Sequence, residues 1–551
     1  MICKPTAYLN NVKPALKQKG YGCRLNAWYV GVRQCASPKF RSKCVRVMAF
    51  LFTLSCTSTY ATTTTIDFGS TSIADLSGFS SVVVNGTYDI NGAVQTLKNV
   101  SGSGTLTNSG ASKTLTLSSI LDTTFSGTIA ATTPANLKLT KSGSGTLTLT
   151  GANTYTGATT FSAVGGTLQI GNGGIIGSIA AGVNTSNGTL IFNRSDDYTY
   201  AGAISGTGTL TQAGTGILTL SGSYSSSGTI NLNAGKLRAS NLSTQGALGT
   251  STVIFGGGIL QAGDNITLRG STHLDNTDST LDVNQFTVTY IENIISGACG
   301  LTISSTGGSG TVIMSGAGYL NTYTGPTMIN SGVTVKGSVA TSVGVTVNGT
   351  YDLNGTALGL IDPSGSGTIQ SSTSNAALTI TSTNGSTFAG TLASTLSGLT
   401  KGGAGTLVLS ATNNHSGSTA VSLGKLTLAH HTAASSGTIA LDSGTTLEGN
   451  FSNNAEIANA ITITSSATLR ATQAFTTTGG ISGSGDLTIS GSGGVTFGTA
   501  NTYTGTTTLQ SGAILSISDT THLSSTTALI MGNNTTLRVT GNCSLPPIVL
   551  S

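Results

Sequence analysis

The sequence predicts an all-β protein, a parallel β-helix (β-solenoid) preceded by a cleavable signal peptide. Three observations predict it. Charged residues make up 7% of the 551 positions while 77 are glycine, against about 25% charge in an ordinary globular domain. Leu, Ile and Val alternate with Thr or Ser, the period of two that a half-buried strand requires. A short polar element then returns along the chain five times, at Asn153–Gly157, Asn321–Gly325 and Asn501–Gly505 unchanged, and around Tyr224 and His415 in altered form.

The first segment, residues 1–47, is basic. Ten of the 23 Lys and Arg lie between Lys4 and Arg46, and no Asp or Glu precedes Asp67. It reads either as an extended leader or as the product of a start assigned too early, with Met48 or a nearby site the true one. Residues 48–61 follow as the apolar run Met48 to Cys56 and then Thr59-Tyr60-Ala61, small residues at the −3 and −1 positions of a cleavage site. This predicts a signal peptide cut between Ala61 and Thr62. Thr53 stands where a lipobox wants Leu, which argues against lipidation at Cys56. The apolar run is about half of the 18 residues needed to span a bilayer, so no transmembrane helix is expected in the mature chain.

Beyond the leader, 13 Lys and Arg stand against 18 Asp and Glu. The basic balance therefore belongs to the leader, and nucleic acid is not an expected partner. Five of the seven cysteines and the single tryptophan, Trp28, also lie there. Cys299 and Cys543 remain, too many coils apart in a solenoid to be bridged, and no zinc spacing occurs.

Residues 62–551 are expected to form the β-helix, with repeat copies near 139–171, 206–240, 299–337, 399–430 and 483–518. Each copy reads as an alternating strand, a polar turn, a short strand, and a second alternating strand entered through glycine. Apolar residues of the first and last strands lie 21 positions apart at Leu147 and Leu168, and 19 apart at Leu218 and Leu237 and at Leu407 and Leu426. That interval is one coil. A longer duplication relates Val84–Gly92 to Val347–Gly355 at an offset of 263, and Leu139-Thr140-Lys141 to Leu399-Thr400-Lys401 at an offset of 260. A single coil cannot bury its own Leu and Ile, whereas coils stacked in register build a continuous core. About 20 to 25 coils spaced by roughly 4.8 Å are expected.

The run from Gly143 to Thr160, GSGTLTLTGANTYTGATT, resembles the passenger-associated transport repeat of bacterial autotransporters, also described as the autotransporter-associated β-strand repeat. The resemblance implies a right-handed β-helix passenger, exported through the periplasm of a Gram-negative bacterium and secreted or displayed at its outer-membrane surface, with folding outside the cell assisting export. A structural or adhesive role is the favoured reading, because a long flat face of Thr, Ser and Asn offers many weak polar contacts to a host-surface or carbohydrate ligand. The chain ends at Leu545-Pro546-Pro547-Ile548-Val549-Leu550-Ser551, still passenger-like. An outer-membrane translocator supplied elsewhere is therefore the expected partner, or else the chain is a truncated, non-functional passenger fragment.

The alternative from another class is a carbohydrate-active β-helix enzyme. Its best candidates are Asp275, Asp278 and Asp282, with His273 and Arg269 nearby. Carboxylate oxygens suit Ca²⁺, but the favoured reading is an exposed turn whose charges keep the chain soluble. No Gly-Asp-Ser-Gly run, phosphate-binding loop or calcium nonapeptide occurs, and no catalytic residue, cofactor or metal is expected. Tyr155, Tyr224, Tyr323, His415 and Tyr503 are taken as repeat-turn residues. A surface ligand stripe of Tyr155, Tyr323 and Tyr503 is the competing reading, local stacking at the turns the favoured one.

Overall fold

A computed structural model describes residues 63–67, 71–72, 75–162, 165–240, 247–276, 279–291, 294–315, 321–339, 343–373, 375–453, 455–523 and 526–551. Ala61, Thr62 and Asp278 lie outside the described residues. The architecture below belongs to Thr64–Ser551, a single unit.

Alternation sets the strands, and stacking sets their partners. Thr146–Leu149 pairs in parallel with Thr167–Ile170, which pairs with Thr189–Phe192, then Thr209–Gln212, Thr229–Leu232 and Thr252–Phe255. Each step advances one coil. The inward column of this sheet is Leu147, Leu168, Leu190, Leu210, Ile230 and Val253, each at most 2% exposed. The neighbouring outward column is Thr146, Thr167, Thr189, Thr209, Thr229 and Thr252. Burying the aliphatic column removes apolar area from water, while threonine suits the pleated outer face.

The three spacings read from the sequence are register partners in the fold: Leu147 with Leu168, Leu218 with Leu237, and Leu407 with Leu426. About 22 coils stack in this way. The sheets hold up to nine strands, and one sheet takes over from another along the stack. The duplicated blocks adopt the same backbone: Asn91 and Asn354 have φ of 45° and 51°, and Gly92 and Gly355 follow at 72° and 80°. Asn and Gly carry these turns because other residues resist the left-handed region.

One expectation needs correction. The element read as a polar turn at Asn153–Gly157 is an extended segment along a side of the coil. Its burial alternates, with Asn153, Tyr155 and Gly157 inside and Thr154 and Thr156 outside, and Thr154 N–H bonds to the Ile129 carbonyl of the preceding coil at 3.0 Å. Pro546 and Pro547 lie outside any strand, and Ile548–Leu550 after them pairs with Leu529–Met531 as the edge strand of its sheet. Pro547 contributes its carbonyl, which accepts from Leu529 N–H at 2.9 Å. Among the described residues no helix is long and apolar enough to cross a membrane, which says nothing of a β-barrel. Cys299 and Cys543 are free thiols.

Candidate functional site: the internal polar staples

Within the repeated element, asparagine does the work that a strand hydrogen bond would do elsewhere. Asn153 Oδ1 accepts the Ile129 N–H of the coil before at 2.8 Å, and its Nδ2 donates to the Ser178 carbonyl of the coil after at 2.9 Å. Asn321 does the same between Ile295 and Ser338, Asn413 between Leu392 and Ala433, and Asn501 between Ile481 and His522. All four are at least 93% buried. One carboxamide satisfies a donor and an acceptor that would otherwise be buried without partners. Three coils are stapled by one side chain.

Two residues on, the aromatic ring enters the core. Tyr155, Tyr323 and Tyr503 are at most 1% exposed, and their hydroxyls lie 2.9, 2.6 and 2.6 Å from Oγ1 of Thr159, Thr327 and Thr507. His415 takes the same place, with Nε2 3.0 Å from Thr419 Oγ1. Tyr224 is buried too, but the residue four on is Gly228, and its hydroxyl turns instead to Ser251 Oγ at 3.4 Å. Here Gly222 also replaces the stapling asparagine. The surface stripe is thereby excluded and the local-turn reading corrected: these rings are interior, because stacked coils close over both sides of them. Burial pushes the Tyr323 and Tyr503 phenols up to about 12, with the Thr hydroxyls opposing it. The glycine that ends the element is fixed by close approach. A Cβ on Gly505 would lie 2.2 Å from the Gly485 carbonyl oxygen.

Three of the repeat copies carry a second buried polar group where the unit opens. Lys141 and Lys401 show no exposed surface. The Lys141 ammonium donates to the carbonyls of Ser142 and Gly143 at 2.8 Å, and that of Lys401 to Gly402, Gly403 and Leu423 at 2.7–2.9 Å. Burial holds the Lys141 amine down at about 8, against a smaller opposing pull from Asp122. At the matching position Gln212 reaches the carbonyls of Gly214 and Gly216, and Ile489 has no donor to offer. The duplicated Leu-Thr-Lys triplets marked this place in the sequence without revealing its burial.

The acidic cluster is dispersed. Asp275 is half exposed and pairs with His273 at 2.9 Å. Asp282 is not in an exposed turn, being 1% exposed. It accepts from Asn284 N–H at 2.9 Å, Thr306 N–H at 3.1 Å, Gln261 Nε2 at 2.7 Å and Thr306 Oγ1 at 2.8 Å. Burial pushes its carboxyl up, but these bonds outweigh it and hold the group below the usual range. Asp89 and Asp352 make the same pair of backbone bonds, to Asn91 and Ser109 and to Asn354 and Ser372. Asp282-Val283-Asn284 is thus a third copy of the turn found in the duplicated blocks. The signal was an Asp and an Asn flanking one apolar residue. Among the described residues no group of three or more His, Cys, Asp or Glu is placed to hold a metal ion.

The comparisons with known proteins fall on these same parts. Residues 139–170, 210–239, 307–335 and 399–428 match the passenger-associated-transport-repeat family. Every matched stretch holds one of the buried rings Tyr155, Tyr224, Tyr323 and His415, and the set at Asn501–Thr507 repeats the geometry outside them. A stretch of 87 residues, 16% of the chain, is 45% identical to the adhesin BmaC autotransporter of Brucella suis biovar 1 (strain 1330). The match spans 2% of that relative's length. No solved structure gives a significant match. With its repeats placed as internal staples of a parallel stack, the chain is an autotransporter-passenger-like β-solenoid that carries passenger-associated-transport repeats.

Proposed function

We propose that the chain is a secreted or surface-displayed passenger of a Gram-negative bacterium that serves as a structural and adhesive element. Its leader is removed between Ala61 and Thr62, an outer-membrane translocator passes the remainder, and the folding of successive coils assists export. The observation that carries this reading is the sequential stapling. Asn153, Asn321, Asn413 and Asn501 each bond the coil before and the coil after, so at four places along the stack a coil emerging next to a finished one finds a side-chain partner ready. A chain emptying through a pore would be held outside by each coil it completes. Adhesion would use the outward polar columns, such as Thr146 to Thr252, whose regularly spaced hydroxyls suit many weak contacts with a host or carbohydrate surface.

The test is expression in a Gram-negative host with an epitope tag after residue 62. Surface labelling and protease sensitivity on intact cells, together with binding to host cells or glycans, are the expected results. Retention in the periplasm would refute the export reading, and display without binding would refute the adhesive one.

A further inference from the structure

Three of the five histidines, His415, His430 and His431, lie within 17 positions of one another, His415 in one coil and the pair where the next coil stacks on it. His415 is fully buried where other coils place tyrosine, and its Nδ1 has no hydrogen-bond partner. The segment that follows in the stack is bonded directly to it: Thr432 and Ala433 carbonyls accept from Asn413 N–H and Nδ2 at 3.2 and 2.7 Å, and Ser435 Oγ donates to the His415 carbonyl at 2.6 Å. That segment begins with His430 and His431, whose rings stack with centroids 4.3 Å apart. His430 Nδ1 accepts the Thr432 N–H at 3.3 Å, so its unprotonated nitrogen helps to form the turn.

We propose that the coil containing His415, with the segment 430–435 stacked on it, is a pH-sensitive joint in the solenoid, opened by mild acid while the coils around it stay closed. A proton on His415 would place a charge in the core with a second N–H unsatisfied. Opening the coil relieves both. The other titratable groups in and beside it do not compensate. Lys401 is spent on backbone carbonyls, and Lys425 and Glu448 pair with each other at 3.0 Å. Among the described residues neither Asp442 nor Glu456 forms an ion pair with these rings. Burial alone lowers the affinity of His415 for a proton below the ordinary 6.5. The closed coil is therefore favoured above that value and loses ground as pH falls below it. Tyr155, Tyr323 and Tyr503 do not titrate in this range, so their coils lack the response.

Hydrogen exchange read by mass spectrometry on the chain at pH 7.5 and 5.5, corrected for intrinsic exchange chemistry, tests this. Amides of 412–435 are expected to lose up to about tenfold in protection for His415 alone, while those near Asn153–Thr167 and Asn501–Leu515 hold. His415→Tyr, which installs the residue of the matching coils, should remove most of that loss. His415→Phe, which keeps a buried ring without a titratable nitrogen, should also remove it and carries the test if His415→Tyr does not fold. Loss spread evenly along the solenoid, or undiminished in the variants, overturns the proposal.

Discussion

The side-chain oxygen of Asn501 lies 2.8 Å from the backbone nitrogen of Ile481, twenty residues earlier in the chain. Its amide nitrogen reaches the His522 carbonyl at 3.0 Å, so removal strands a donor and an acceptor in the interior. Asn501→Ala should cost about 2–4 kcal/mol, measured by denaturant unfolding followed by circular dichroism. Asn501→Asp should be no better, since it keeps the acceptor and loses the donor.

The buried tyrosines set an alkaline limit. Burial raises Tyr155, Tyr290, Tyr323, Tyr351 and Tyr503 above the ordinary value of 10 in the folded chain. The unfolded chain then releases protons first, so the stability they contribute is complete below pH 10 and is lost as pH rises through the folded values. Tyrosinate absorbance should appear together with loss of the β-sheet signal above pH 10. Ionisation of these residues with the sheet signal intact would contradict their burial.

Gly505 and Gly344 separate close approach from mere flexibility. The Cβ of alanine at 505 would meet the Gly485 carbonyl oxygen at 2.2 Å, whereas at 344 nothing lies within 4 Å. Gly505→Ala should destabilise by about 1–3 kcal/mol, and Gly344→Ala should stay within about 0.5 kcal/mol. Thermal unfolding of the two variants side by side gives the comparison.

Asp282 and Asp275 make an equally direct pair. Asp282→Ala removes the acceptor of two backbone and two side-chain bonds and should cost about 3 kcal/mol. Asp275→Asn changes a half-exposed group and should be nearly neutral. The stability owed to the Asp282 carboxylate is present above its ordinary value near 3.8 and is lost as pH falls through its lowered folded value. Equal effects of the two variants would return Asp282 to the surface.

Strand period and coil length were legible because both are local. Leu147 and Leu168 could be matched from their spacing, and each pairs with the other in the sheet, since inward residues must recur once per coil. The repeated element was visible as well, yet its tyrosines passed for turn residues. Polar neighbours such as Thr154 and Thr156 mask an alternation whose inner members are Asn153, Tyr155 and Gly157.

By itself the sequence determined a stack of parallel coils, its interval and the residue types of its two faces, because alternation and repetition are properties of the chain alone. Only the tertiary structure decided that Asn153 staples three coils, that Lys401 is enclosed by carbonyls and that Asp282 belongs to an inner turn. Those roles depend on the coils above and below, and a residue's own neighbours in sequence carry no record of what stacking will place against it.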